Sequence, residues 1–210
     1  METIILSSSG KFLIEELDKY IDKPLEGLKI AYITTASKKV DDLSYLSERR
    51  QKMTELGLRF EEIDLDGKNK KQLMKILENK DIIFVEGGNA FYLLKSIRKS
   101  GFNEIIKNLL KKGIIYFGSS AGSYVACPTI EVATWGIGKN IFDRCGVTDL
   151  SALNLVPFIL KCHYHYGMNK VLKEKSKETK HPLRMLTDEQ AFLIKNGNTE
   201  LVGFGEEVVI

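Results

Sequence analysis

The chain is poor in cysteine, proline, histidine and tryptophan. Its 210 residues hold three cysteines, four prolines, three histidines and one tryptophan. Cys127, Cys145 and Cys162 are odd in number and lack CxxC spacing, which argues against a disulfide framework and for a reducing compartment. No run reaches the ~18 apolar residues of a membrane span, so no membrane partner is expected. The opening Met1-Glu2-Thr3-Ile4-Ile5-Leu6 is too short an apolar run for a signal peptide, and Glu2 stands where a positive charge belongs. The expected location is cytoplasmic. Charge of one sign is scarce too: 31 basic and 28 acidic residues leave a formal +3. The lysine-rich stretches 68–75 and 170–180 are interleaved with apolar residues or glutamates, without an aromatic platform. They read as solvated helix faces, and no nucleic-acid partner is expected. No internal repeat or low-complexity linker interrupts the chain. The length suits one domain over residues 1–210, with a core that needs no staples.

What is present is an alternation of strand and helix patterns. Strands are expected at 3–6, 28–34, 59–65, 82–85, 114–117 and 155–161. Helices are expected at 11–21, 41–56, 69–79, 91–99 and 103–112, with Gly101 separating the last two. Such alternation implies an α/β fold, a parallel sheet with helices on both faces. Near the end, 191–195, the Asn196-Gly197 turn and 200–204 read as a hairpin that adds an antiparallel edge. The longest stretch without periodicity, 128–152, holds Trp135, Gly136, Gly138 and Gly146. A long irregular segment is usually a functional loop, and here it is expected to cover a site.

Three strand ends carry chemistry. The run Ile114-Ile115-Tyr116-Phe117 stops at Gly118-Ser119-Ser120-Ala121-Gly122, and a helix-compatible stretch follows. This G-x-S-x-G pattern between strand and helix is a nucleophile elbow. It places Ser120 in a strained turn at a helix N-terminus, where developing negative charge is favoured. The strand Ile82 to Val85 runs into Gly87-Gly88-Asn89. Its glycines would expose backbone N–H groups, so this turn is expected to supply a second oxyanion donor beside the Ala121 N–H; as an ordinary turn, it would only cap the next helix through Asn89. The run Leu155 to Lys161 leads to Cys162-His163-Tyr164-His165. His163, expected to end its own strand, is the candidate general base, with His165 on the same strand face and Cys162 turned away as a small buried hydrophobe. No third ligand joins the two histidines locally, so no metal is expected.

In combination and order these segments resemble the dipeptidase E (α-aspartyl dipeptidase and cyanophycinase) family of serine peptidases. Gly87 to Leu94, Gly118 to Gly122 and Leu153 to Tyr164 carry the likeness. The resemblance implies a flavodoxin-like three-layer sandwich with a mostly parallel sheet, related to class I glutamine amidotransferases. It implies hydrolysis of short peptides without a cofactor, with Ser120 as nucleophile, His163 as base, and Gly88 and Ala121 as oxyanion hole. The family's acid lies downstream of the histidine, before an apolar strand. Asp188 holds that place here, where peptidases of this kind carry Glu; Glu189 is the alternative. Trp135 stands where aspartyl dipeptidases have Asp, and Cys162 where Pro often precedes the histidine, so aspartyl specificity stays open. A non-catalytic α/β binding protein that retains the elbow is the other function class. The oligomeric state, monomer or homodimer, is left open.

Overall fold

A computed structural model describes residues 2–21, 24, 26–136 and 143–210. Gly138 of the irregular segment lies outside the described residues. The strands are β1 (Thr3–Ser7), β2 (Lys29–Ile33), β3 (Arg59–Ile63), β4 (Ile82–Val85), β5 (Ile115–Ser119), β6 (Ile159–Lys161), β7 (Leu183–Met185), β8 (Gln190–Lys195) and β9 (Asn198–Gly203). The helices are α1 (Gly10–Glu15), α2 (Leu17–Tyr20), α3 (Ser44–Glu55), α4 (Lys70–Leu77), α5 (Ala90–Ser100), α6 (Phe102–Lys111), α7 (Ala121–Ala126) and α8 (Asn169–Lys175).

Seven strands form one sheet in the order β3-β2-β4-β5-β1-β8-β9. The first five run parallel, and β8 and β9 add as antiparallel strands. The alternation of strand side chains explains the layers. Ile4, Leu6, Ile83 and Val85 join Leu73, Leu94, Ile105 and Val125, so α4 to α7 cover one face. Ile5, Tyr32, Phe84 and Phe117 join Ile14, Leu46 and Met53, so α1 and α3 cover the other. Each fully buried aliphatic or aromatic side chain contributes roughly 1.5–3 kcal/mol. The architecture is a mostly parallel α/β sandwich, as the alternation of patterns implies, and it agrees with the flavodoxin-like fold that the resemblance implies.

Local sequence explains where these helices start and stop. In α6, Phe102, Ile105, Ile106, Leu109 and Leu110 are buried, the i, i+3, i+4, i+7 spacing of one helix face. Asn69 and Gln72 form a capping box on α4. Gly101 takes φ 73° between α5 and α6, a conformation that suits glycine.

Three element expectations change. The helix over 11–21 breaks at Glu16, whose φ −110° and ψ 3° are not helical. The helix over 41–56 begins only at Ser44, after a 3₁₀ turn at Thr35–Lys39. The strand over 155–161 shrinks to β6, which pairs with β7 in a separate two-stranded sheet. Its first residue, Leu155, and the two residues before it have other partners. The N–H groups of Leu153, Asn154 and Leu155 donate to the Val125, Cys127 and Ala126 carbonyls, in that order, at 2.8–3.0 Å, satisfying the end of α7. Pro157 has no N–H to give to a ladder. The hairpin of β8 and β9 does extend the main sheet as an antiparallel edge.

Candidate active site

The parallel strands end together at one edge of the sheet, and there the turns after β1, β4 and β5 meet. At the turn after β5, Ser120 has φ 48° and ψ −106°, a strained conformation for a residue with a side chain. Its surroundings allow little else. A Cβ on Gly122 would lie 2.0 Å from the Val85 carbonyl oxygen, and one on Gly118 2.8 Å from Gly122. Ser120 N–H donates to the Ser7 carbonyl at 3.1 Å, and Tyr124 N–H to the Ser120 carbonyl at 2.9 Å. The Ser123 hydroxyl donates to the Ser7 and Gly118 carbonyls at 2.7 and 2.8 Å, and the Tyr116 hydroxyl to Gly122 at 2.7 Å. Strand and helix are thus stitched on both sides of the serine.

The glycine turn after β4 lies against this elbow. A Cβ on Gly87 would come within 3.1 Å of Ser120 Cβ and 3.7 Å of its Oγ. Gly88 has φ 138°, and a Cβ there would meet the Ala36 carbonyl at 2.5 Å. Only glycine fits both conditions. Asn89 caps α5, accepting from the N–H groups of Phe91 and Tyr92, and its amide donates to the Asp143 carbonyl at 2.9 Å. Ala121 is the first residue of α7, so its N–H has no partner within the helix.

Beneath the turn lies a buried polar cluster that the sequence does not announce. Glu86, 1% exposed, accepts from the Tyr32 hydroxyl at 2.8 Å, Arg49 Nε at 3.3 Å and the Gly87 N–H at 2.8 Å. The Tyr45 hydroxyl donates to the Gly87 carbonyl at 3.2 Å. Burial, reinforced by the Glu86 charge, pushes the Tyr45 hydroxyl up to about 12 and that of Tyr32 higher still. A buried carboxylate holds its charge only with such partners.

His163 meets Ser120 from outside the main sheet. It lies two residues past β6 with φ 55°, so it does not end a strand and does not share a strand face with His165. The left-handed residue swings the imidazole over the elbow while Cys162 stays fully buried. Burial pushes the Cys162 thiol up, which fits a buried hydrophobe and not a thiolate. His163 Nε2 is 3.0 Å from Ser120 Oγ, and Nδ1 is 2.6 Å from Asp188 Oδ1.

Asp188 arrives from the turn before β8. The antiparallel register sets Ala191 beside Ser7, so the residues preceding β8 fall next to the end of β1. Gln190 holds the turn: its side chain accepts from the Thr187 N–H at 3.0 Å and donates to the Phe204 and Glu206 carbonyls at 3.1 Å. The shorter aspartate reaches the imidazole because this register delivers it. Neighbouring Glu189 is exposed and its carbonyl accepts from Phe204 N–H at 3.0 Å. The hydrogen bond from His163 holds the Asp188 carboxyl below its ordinary 3.8; burial opposes this, and the Ser8 hydroxyl adds to it.

Two residues at the site carry no sequence motif. Ser8, fully buried, donates to Asp188 Oδ1 at 2.6 Å and accepts from the His163 N–H at 2.7 Å. Within Ser7-Ser8-Ser9 it reads as turn filling, and Ser9 does cap α1. Lys161, 6% exposed, is the last residue of β6; burial pulls its ammonium down while Cys162 and Asp188 oppose that. Among the described residues, no group of three or more His, Cys, Asp or Glu side chains is spaced to hold a metal ion, and no helix is long and apolar enough to cross a membrane. In the irregular segment, Trp135 packs partly buried against Met168, Leu172 and Met185.

The chain matches the model of peptidase family S51 over residues 3–202. It is 29% identical over 176 residues to an uncharacterized peptidase of Listeria monocytogenes, covering 83% of this chain and 84% of that one. It is 30% identical over 182 residues to peptidase E of Escherichia coli O6:K15:H31, covering 85% of this chain and 75% of that one. The fold is similar to the crystal structure of a candidate peptidase E protein from Listeria monocytogenes EGD-e, with a TM-score of 0.84 and 24% identity over 98% of this chain and 100% of that one.

Proposed function

Because the chain belongs to peptidase family S51 and is a serine-type peptidase, we propose that it hydrolyses short peptides, dipeptides among them, through Ser120, His163 and Asp188. The observation that carries this reading is the line Ser120 Oγ to His163 Nε2 at 3.0 Å and His163 Nδ1 to Asp188 Oδ1 at 2.6 Å. Both lie within direct proton-transfer reach. Ser120 Oγ attacks the scissile carbonyl as Nε2 takes its proton, and Asp188 stabilises the imidazolium that forms. The imidazolium then gives that proton to the leaving amine. A water, activated by the same nitrogen, releases the acyl group. The N–H groups of Gly88 and Ala121 are the donors assigned to the oxyanion. Donors set in place before the charge develops need no reorganisation, and losing one typically costs about 10²–10³ in rate.

A fluorophosphonate probe tests the assignment directly. It is expected to label the wild-type chain at Ser120 and to leave Ser120→Ala unlabelled, with the melting temperature of the variant nearly unchanged. Screening the two proteins against a dipeptide library then gives the substrate. Loss of a nucleophile typically costs on the order of 10⁶ in kcat, so hydrolysis surviving within tenfold in Ser120→Ala would remove that residue from the mechanism.

A further inference from the structure

We propose that Ser8 is a positioning residue whose single hydroxyl sets the His163 backbone and the Asp188 carboxylate relative to each other and selects the imidazole tautomer. This rests on the roles of His163 as base and Asp188 as acid. Ser8 Oγ is fully buried, 2.6 Å from Asp188 Oδ1, 2.7 Å from the His163 backbone nitrogen and 3.4 Å from His163 Nδ1. A hydroxyl has one hydrogen and two acceptor sites. The His163 N–H occupies an acceptor site. The hydrogen goes to the carboxylate, which as an anion only accepts. It is then not available to Nδ1. Nδ1, 2.6 Å from the same carboxylate oxygen, must carry its own hydrogen, since two acceptors would repel at that distance. In the neutral ring this leaves Nε2 bare, facing Ser120 Oγ as a base must.

The backbone contact does a second task. His163 sits at φ 55° just beyond β6, a left-handed conformation that costs a side-chain-bearing residue of order 1–3 kcal/mol. Its N–H has left the strand ladder and is held by Ser8 Oγ instead. Ser8 is itself anchored by its N–H to the Gln190 carbonyl at 3.5 Å, next to the turn that brings Asp188. One side chain thus ties the base's backbone to the acid's side chain across 155 and 180 residues of chain. Among the described residues, Lys161 on β6 also acts on the Asp188 charge, and the adjoining Cys162 thiol feels Lys161, Cys127, Asp188 and Tyr124.

Two measurements on wild type, Ser8→Ala and Ser8→Cys test this. The first is a nitrogen-15 NMR titration of the His163 ring, which needs no substrate. Wild type is expected to show the neutral ring protonated at Nδ1. Ser8→Ala is expected to show mixed tautomers, because without the hydroxyl that ties the His163 backbone to the Asp188 carboxylate the contact from Nδ1 to Asp188 is no longer held in place. The second is the fluorophosphonate labelling rate against pH. Its plateau is expected to fall about 10–100-fold in Ser8→Ala, the scale set by a small misplacement of a reacting group. Ser8→Cys, close in size and a weaker donor, should lie between. Loss of packing alone would lower the melting temperature and leave the tautomer in place. An unchanged tautomer, or a labelling rate within twofold of wild type at every pH, overturns the proposal; should Ser8→Ala fail to fold, Ser8→Cys is judged by the same criteria. A wild-type chain that never labels defeats the catalytic reading instead, and the titration still decides the role of Ser8.

Discussion

Around Ser120 nearly every neighbour is backbone. Gly87, Gly118 and Gly122 bring two strands and a helix so close that a methyl group at Gly122 has no place to go. Around His163 and Asp188 the neighbours are a few side-chain atoms, and the two side chains are 49% and 61% exposed. Ser120 is therefore placed by steric exclusion, and His163 and Asp188 by hydrogen bonds. Steric placement is coupled to global stability, because disturbing it disturbs the core. Placement by hydrogen bonds can fail while the fold survives.

Gly122 is the position where steric placement is most open to challenge. A Cβ there lies 2.0 Å from Val85 O, so Gly122→Ala must part α7 from β4. Overpacking typically costs about 1–3 kcal/mol and occasionally more, and this contact belongs at the upper end. Urea denaturation is expected to show a large fall in midpoint, with activity lost along with structure. A midpoint within experimental error of wild type would deny the steric account.

On the hydrogen-bonded side, His163→Ala should remove activity as fully as loss of the serine, roughly 10⁶ in kcat, while thermal unfolding barely changes. His165→Ala should retain most activity, since only His163 meets Ser120. If His165→Ala is the more damaging change, the assignment of the base fails. Next comes Asp188. Asp188→Asn should lower kcat by roughly 10²–10⁴ with little change in KM, because its interaction strengthens as the imidazolium forms. Glu189→Gln should leave kcat near wild type, and equal losses in the two variants would contradict the geometry.

The smallest effect is on stability in acid. The Asp188 carboxyl is lowered from 3.8 chiefly by the His163 hydrogen bond. A lowered pKa contributes stability that is present above 3.8 and lost as pH falls through the folded-state value. Solvent exposure of the pair keeps this contribution small. Stability against pH below about 4 should therefore fall slightly less steeply in Asp188→Asn than in wild type. Identical acid limbs in calorimetry would show that Asp188 carries no such linkage.

Much of the steric side is legible in the sequence, because glycine at a strand end marks a place where the backbone turns sharply or a neighbour comes close. Gly118, Gly122, Gly87 and Gly88 mark the elbow and its neighbour, and strand–helix alternation gives the sheet. The hydrogen-bonded side is harder to read. The run Leu155 to Lys161 has the composition of a core strand, yet the end of α7 takes its first N–H, that of Leu155, and Pro157 interrupts it. The pattern points to His163 as the end of a strand, and the residue reaches Ser120 through a left-handed turn instead. Ser8 and the Glu86 cluster leave no trace, since a serine in a triplet of serines and a lone glutamate before two glycines carry no spacing signal. Contacts spanning 155 and 180 residues cannot be read from local pattern. The reach of Asp188 follows from a strand register, which only the assembled sheet defines.

That register also makes the hairpin of β8 and β9 separable from the rest. It joins the sheet through the β1 seam alone, because β9 is the outer strand. A fluctuation that opens this seam carries Asp188 away from His163 and leaves Ser120 and the Gly87-Gly88 turn in their packed setting. Such sub-global openings lie below complete unfolding in free energy. Amide hydrogens of Gln190–Lys195 should then exchange with solvent sooner than those of β4 and β5. In mild denaturant a population would accumulate that is still compact, still near-native in circular dichroism, and already inactive.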